Sequence, residues 1–77
     1  MSNETLTQNQ VLANKLIAIK PNIISDDIKE LNEKENISLS TIYMYLGGKV
    51  LNIETGITIL KFFNKKVKAR TATINNL

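Results

Sequence analysis

From Gln8 to Ile19 the apolar residues Val11, Leu12, Leu16 and Ile19 recur at helical spacing. Pro21 ends that pattern, because the residue ahead of a proline is pushed out of the helical region. The spacing predicts a first helix there. Ser25 followed by Asp26 and Asp27 reads as the N-cap and first turn of a second helix, with carboxylates at the positive end of its dipole. Ile28 and Leu31 give this helix a narrow apolar stripe. The run Asn32, Glu33, Lys34, Glu35, Asn36 is then wholly polar, as an exposed last turn and a bend would be, and Asn36 can adopt the left-handed conformation that a helix end needs. Ile37 is a single apolar plug. Ser38 or Ser40 can cap a third helix carrying Thr41, Ile42, Tyr43, Met44, Tyr45 and Leu46, which Gly47 and Gly48 stop.

Asn52 caps a fourth helix expected over 52–70, with Glu54 in its first turn. Ile53, Ile57, Leu60 and Val67 repeat on one face of it, and Ile59, Phe62 and Phe63 widen the stripe as core or as a dimer contact. Thr55 to Leu60, rich in β-branched residues around Gly56, would alone suit a strand. The cap, the length of the pattern and the lysines gathered toward the C-terminal end favour a helix. Residues 1–7 are polar and read as a tail. The expectation is an all-α chain, a compact domain of four to five helices spanning 1–77.

Seventy-seven residues fill one core, and with 43% apolar residues that core is modest, so pairing with another chain is a natural source of extra burial. Cysteine and histidine are both absent. With them go disulfides, the commonest metal ligands and the commonest general base, so no enzyme, metal, cofactor or small-molecule substrate is expected. The carboxylates Asp26, Asp27, Glu30, Glu33, Glu35 and Glu54 sit where helix starts and solvated faces want acid. The N-terminus carries Glu4, no basic segment and no long apolar run, which points to a cytoplasmic protein without a membrane span. Net charge is +3 but unevenly spread. Lys61, Lys65, Lys66, Lys68 and Arg70 crowd the last third as candidate phosphate contacts, while five acidic residues crowd 26–35.

The stretch Asn36-Ile37-Ser38-Leu39-Ser40-Thr41-Ile42-Tyr43-Met44-Tyr45-Leu46-Gly47-Gly48 resembles the turn and recognition helix of helix-turn-helix regulators of the lambda-repressor-like and lac-repressor-like group. A Val-Ser-x-x-Thr-Val-Ser-Arg-type sequence recurs in that group, and Ile37, Ser38, Thr41 and Ile42 occupy its Val, Ser, Thr and Val places. Leu46-Gly47-Gly48 is similar to the end of the recognition helix in small phage and bacterial regulators. Residues 25–48 would form the helix-turn-helix. The chain departs from the pattern at Asn32, where a small apolar residue is usual, and in a longer second helix.

The resemblance implies a DNA-binding transcriptional regulator, a homodimer on double-stranded DNA with its third helix in the major groove. Physically, Ile37 would fill the crease between the helices, Ser38 would cap the third, and Ile42 and Tyr45 would face the core. Ser38, Leu39, Ser40, Thr41, Tyr43, Met44 and Lys49 are then the candidate DNA contacts, although capping alone accounts for the hydroxyls and ordinary packing for Tyr43 and Met44. The outward face lacks the Arg, Lys, Asn and Gln that read bases bidentately. That absence leaves a second reading open, a protein-interaction module, such as an adaptor or polymerase-binding factor, using the same face.

Overall fold

A computed structural model describes residues 7–75 as α1 (Gln8–Ile19), a short 3-10 turn (Lys20–Asn22), α2 (Ser25–Glu35), α3 (Leu39–Leu46) and α4 (Ile53–Asn75). The fold is all-α, and the β-branched segment Thr55 to Leu60 lies inside α4. No described helix is long and apolar enough to cross a membrane.

Three helix ends differ from expectation, each for a local reason. Thr7, expected in the tail, is the N-cap of α1: its Oγ1 accepts from Gln10 N at 3.1 Å while Gln10 Oε1 accepts from Thr7 N at 3.0 Å, so two otherwise orphaned donors are satisfied reciprocally. The rest of that expected tail lies outside the described residues. Ser25 is the first helical residue of α2, and Ile24 holds the cap position. An isoleucine offers no acceptor, so only the reverse arm of a capping pair forms, with Asp27 Oδ2 accepting from Ile24 N at 3.2 Å. α4 runs to Asn75, five residues past the expected end at 70. Nothing from Ala69 to Ile74 breaks a helix, and Thr73 turns its hydroxyl back onto Ala69 O at 2.9 Å. Asn52 caps α4 as expected, its Oδ1 accepting from Thr55 N at 3.0 Å.

The core is Leu12, Leu16 and Ile19 from α1, Leu31 from α2, Ile42, Tyr45 and Leu46 from α3, and Ile59 and Phe63 from α4. The stripe of α4 is therefore centred differently from the sequence expectation. Ile59 and Phe63 are its buried centre and Phe62 is half-buried against it; Ile53, Leu60 and Val67 lie on the flanks, and Ile57 is exposed. The centre shifts because Gly56 belongs to it. Leu12 lies where a side chain on Gly56 would point, with Leu12 Cδ2 only 2.5 Å from an ideal Cβ, and this close approach draws α1 onto the Gly56 side of α4. α1 and α4 run side by side in the same direction, residues 8–12 beside 53–57 and residues 15–19 beside 60–64.

Candidate nucleic-acid interface

Three residues, Asn36, Ile37 and Ser38, join α2 to α3. Asn36 adopts the left-handed conformation (φ 55°, ψ 37°), one of the few residues other than glycine that does so at small cost. Ile37 packs half-buried against the core, as the crease requires. Asn32 is tied to this bend: its Nδ2 donates to Ile37 O at 2.6 Å. The amide thus joins the last turn of α2 to the bend and satisfies a backbone carbonyl there.

Ser38 caps α3. Its Oγ accepts from Thr41 N at 3.2 Å and donates to Thr41 Oγ1 at 2.8 Å, so both hydroxyls are engaged within the chain. Ile42, Tyr45 and Leu46 anchor the helix. The buried Tyr45 hydroxyl accepts from Asn52 N at 2.9 Å, which satisfies its polar atom and pins the end of α3 to the start of α4. The C-terminus closes with Gly48 N donating to Tyr45 O at 2.9 Å and Lys49 N to Met44 O at 3.1 Å, the Schellman pattern, with Gly48 at φ 96°. Ile17 of α1 lies over Gly48, its Cδ1 2.7 Å from where a Cβ would be. Lys49 is thus placed immediately beyond the helix end, exposed.

This anchoring leaves Leu39 (45% exposed), Ser40 and Tyr43 (53% exposed) outward, beside Gly47. Met44 and Thr41 are half-buried, Met44 against the core. The open face is therefore smaller than the sequence suggested, carried by Leu39, Ser40 and Tyr43 with Lys49 at its edge.

The C-terminal basic cluster divides in two. Arg70 grips Asp27 with both terminal nitrogens, Nη2 to Oδ2 at 3.0 Å and Nη1 to Oδ1 at 3.3 Å, and Nη2 also donates to Asn22 O at 2.6 Å. Lys66 pairs with Glu30 at 2.6 Å and lies 5.6 Å over the Phe62 ring. These two candidates for phosphate contact are engaged as bolts between α4 and α2, paired with carboxylates on the helix they pack against. The Lys66 ammonium, and after it that of Lys34 at 3.0 Å, hold the Glu30 carboxyl below its ordinary value. Lys61, Lys65 and Lys68 are exposed and, at i, i+4 and i+7, share one stripe of α4. The acidic run of α2 is partly spent in these pairs, leaving Asp26, Glu33 and Glu35 exposed.

The sequence held no direct signal for the bolts, because the partners lie 36 and 43 residues apart. No family model, no curated protein and no solved structure matches the chain.

Proposed function

We propose that the chain is a non-enzymatic, cytoplasmic DNA-binding transcriptional regulator that places α3 in the major groove of double-stranded DNA, two copies to a site about one helical turn apart. The observation that carries the reading is the α2-turn-α3 unit: a three-residue turn with a left-handed first residue, a serine-capped second helix, and an outward face backed by the buried Ile42, Tyr45 and Leu46. Ser40 and Tyr43 offer hydroxyls to phosphates or ordered water, and Leu39 offers apolar contact to thymine methyls, so preference for A·T-containing sites follows. Lys49 supplies a phosphate contact at the helix end.

The test is duplex affinity measured across salt concentration. Loss of affinity with rising salt supports the reading, and Lys49→Ala should flatten the slope of log affinity on log salt by about 0.9 per copy. Tyr43→Ala should lower sequence preference more than total binding. Absent binding at low salt, or binding indifferent to salt, refutes it. One observation favours a protein partner instead: Leu39 and Tyr43 are open apolar groups on a helix face without a cation, and Glu33 and Glu35 lie just before the turn. A stoichiometric protein partner lost on Tyr43→Asp, with no duplex affinity in the same preparation, selects that reading.

A further inference from the structure

The face that α4 turns toward α2 also builds a recess. Phe62, Lys65, Lys66 and Ala69 stand at i, i+3, i+4 and i+7 on α4, and Glu30 and Lys34 stand one turn apart on α2. These six residues line a cavity of about 180 Å³ at the seam of the two helices. Ala69, the smallest of them, leaves free the space that a longer side chain would fill.

Three ammoniums meet one carboxylate there. Glu30 accepts from Lys66 at 2.6 Å and from Lys34 at 3.0 Å, which fixes both ammoniums and engages one of the three donors of each. Two donors on each remain. Lys65 is exposed and, among the described residues, has no ion-pair partner. Glu30 is the one acid in the lining, so the recess holds a surplus of two positive charges. Phe62 supplies an apolar wall. Its ring is steadied by the Phe63 ring, edge to face at 5.8 Å, and by Lys66 Nζ lying 5.6 Å from its centroid.

We propose that this recess binds a small phosphate monoester, its dianionic head among Lys34, Lys65 and Lys66 and its carbon group against Phe62 and Ala69. A monoester carries about −1.5 to −2 charge at neutral pH, which matches the surplus of two. A backbone phosphodiester or a carboxylate brings one charge, and lysine lacks the planar fork that would favour a carboxylate. At about 30 Å³ per water, the recess is the space of about six waters, below the roughly 300 Å³ at which pockets for larger ligands begin. It admits a phosphoryl group and a few carbons. Histidine and cysteine are absent from the chain and no hydroxyl lines the recess, so the site holds the ester without attacking it. The inference goes beyond the proposed function and does not rest on it, since no lining residue belongs to α3.

The test is titration of the isotopically labelled full chain with phenyl phosphate at about pH 7.5, where the ester is dianionic, beside inorganic phosphate and benzoate. Saturating shifts are expected at the six lining residues on both helices by about 20 mM, a range suited to a fragment-sized ligand. Phenyl phosphate should bind about threefold tighter than inorganic phosphate and about tenfold tighter than benzoate. Lys65→Ala should weaken it about fivefold, and Lys61→Ala, outside the recess, by less than about twofold. Ala69→Leu keeps every charge and sits at an exposed helical position, yet fills the recess and should weaken binding at least about tenfold. Phe62→Leu should erase the preference for phenyl phosphate over inorganic phosphate; if that chain fails to fold, Ala69→Leu decides alone. No saturation, equal losses at Lys61 and Lys65, or indifference to Ala69→Leu overturns the inference. A short duplex that shifts these six residues where phenyl phosphate does not also overturns it. Saturation by phenyl phosphate in a chain without duplex affinity upholds it while removing the proposed role of α3.

Discussion

Arg70 is the residue whose loss should reveal most about how α2 is held against α4. Asp27 is 4% exposed and its carboxylate has three donors: the two terminal nitrogens of Arg70 and the backbone N of Ile24. Arg70→Ala leaves that buried charge with one neutral donor and strips Asn22 O of its partner at 2.6 Å. Breaking a fully buried pair costs about 3–5 kcal/mol and an exposed one about 0–1 kcal/mol. Here the carboxylate is buried and the arginine side chain 32% exposed, so the expected loss lies between, about 2–3 kcal/mol. For a domain of this size that lowers Tm by roughly 10–20 °C, read by circular dichroism. Lys68→Ala, on the exposed stripe, should stay within about 0.5 kcal/mol. Removing both partners in Asp27→Ala/Arg70→Ala should cost less than the sum of the single losses, because no stranded charge remains. An Arg70→Ala loss under about 0.5 kcal/mol, or strict additivity in the double variant, would refute the reasoning.

Three further outcomes are expected. Gly56→Ala, which helix propensity alone would make stabilising by about 1 kcal/mol, should deliver clearly less than that gain, because Leu12, whose Cδ2 lies 2.5 Å from the new Cβ, must turn aside; urea midpoints measure the shortfall. Asn32→Ala should cost about 1 kcal/mol through the lost bond to Ile37 O, and amide exchange around residues 36–38 should quicken. The lowered Glu30 carboxyl contributes stability that is present above its ordinary value of 4.5 and is lost as pH falls through the lower folded value. Acid melts below that window should therefore separate the native chain from Glu30→Gln less than melts at neutral pH do.

How much of this was legible in the sequence follows from the range of each interaction. Caps and bends are local, so Asn36, Ser38, Gly48 and Asn52 could be read from their neighbours, and Ile42 and Tyr45 from helical spacing. Ile24 as a cap was hidden because the bond that makes it one comes from the Asp27 side chain, reaching backward. The centre of the α4 stripe was misplaced because a glycine looks neutral in a hydrophobic pattern, and only α1 packed against it gives Gly56 its meaning. The division of the basic cluster was hidden for the same reason: a list of lysines and arginines does not say which of them face the carboxylates of another helix. The role of Asn32 is not legible either, because its partner is a backbone carbonyl beyond the bend, that of Ile37.

The central claim, that the face of α3 meets nucleic acid, is tested most directly by titrating the isotopically labelled chain with an A·T-rich duplex and following backbone amide shifts. Binding through α3 predicts the largest changes at Leu39, Ser40, Tyr43, Gly47 and Lys49. Changes confined to the Lys61, Lys65 and Lys68 stripe, or none at low salt, would contradict it.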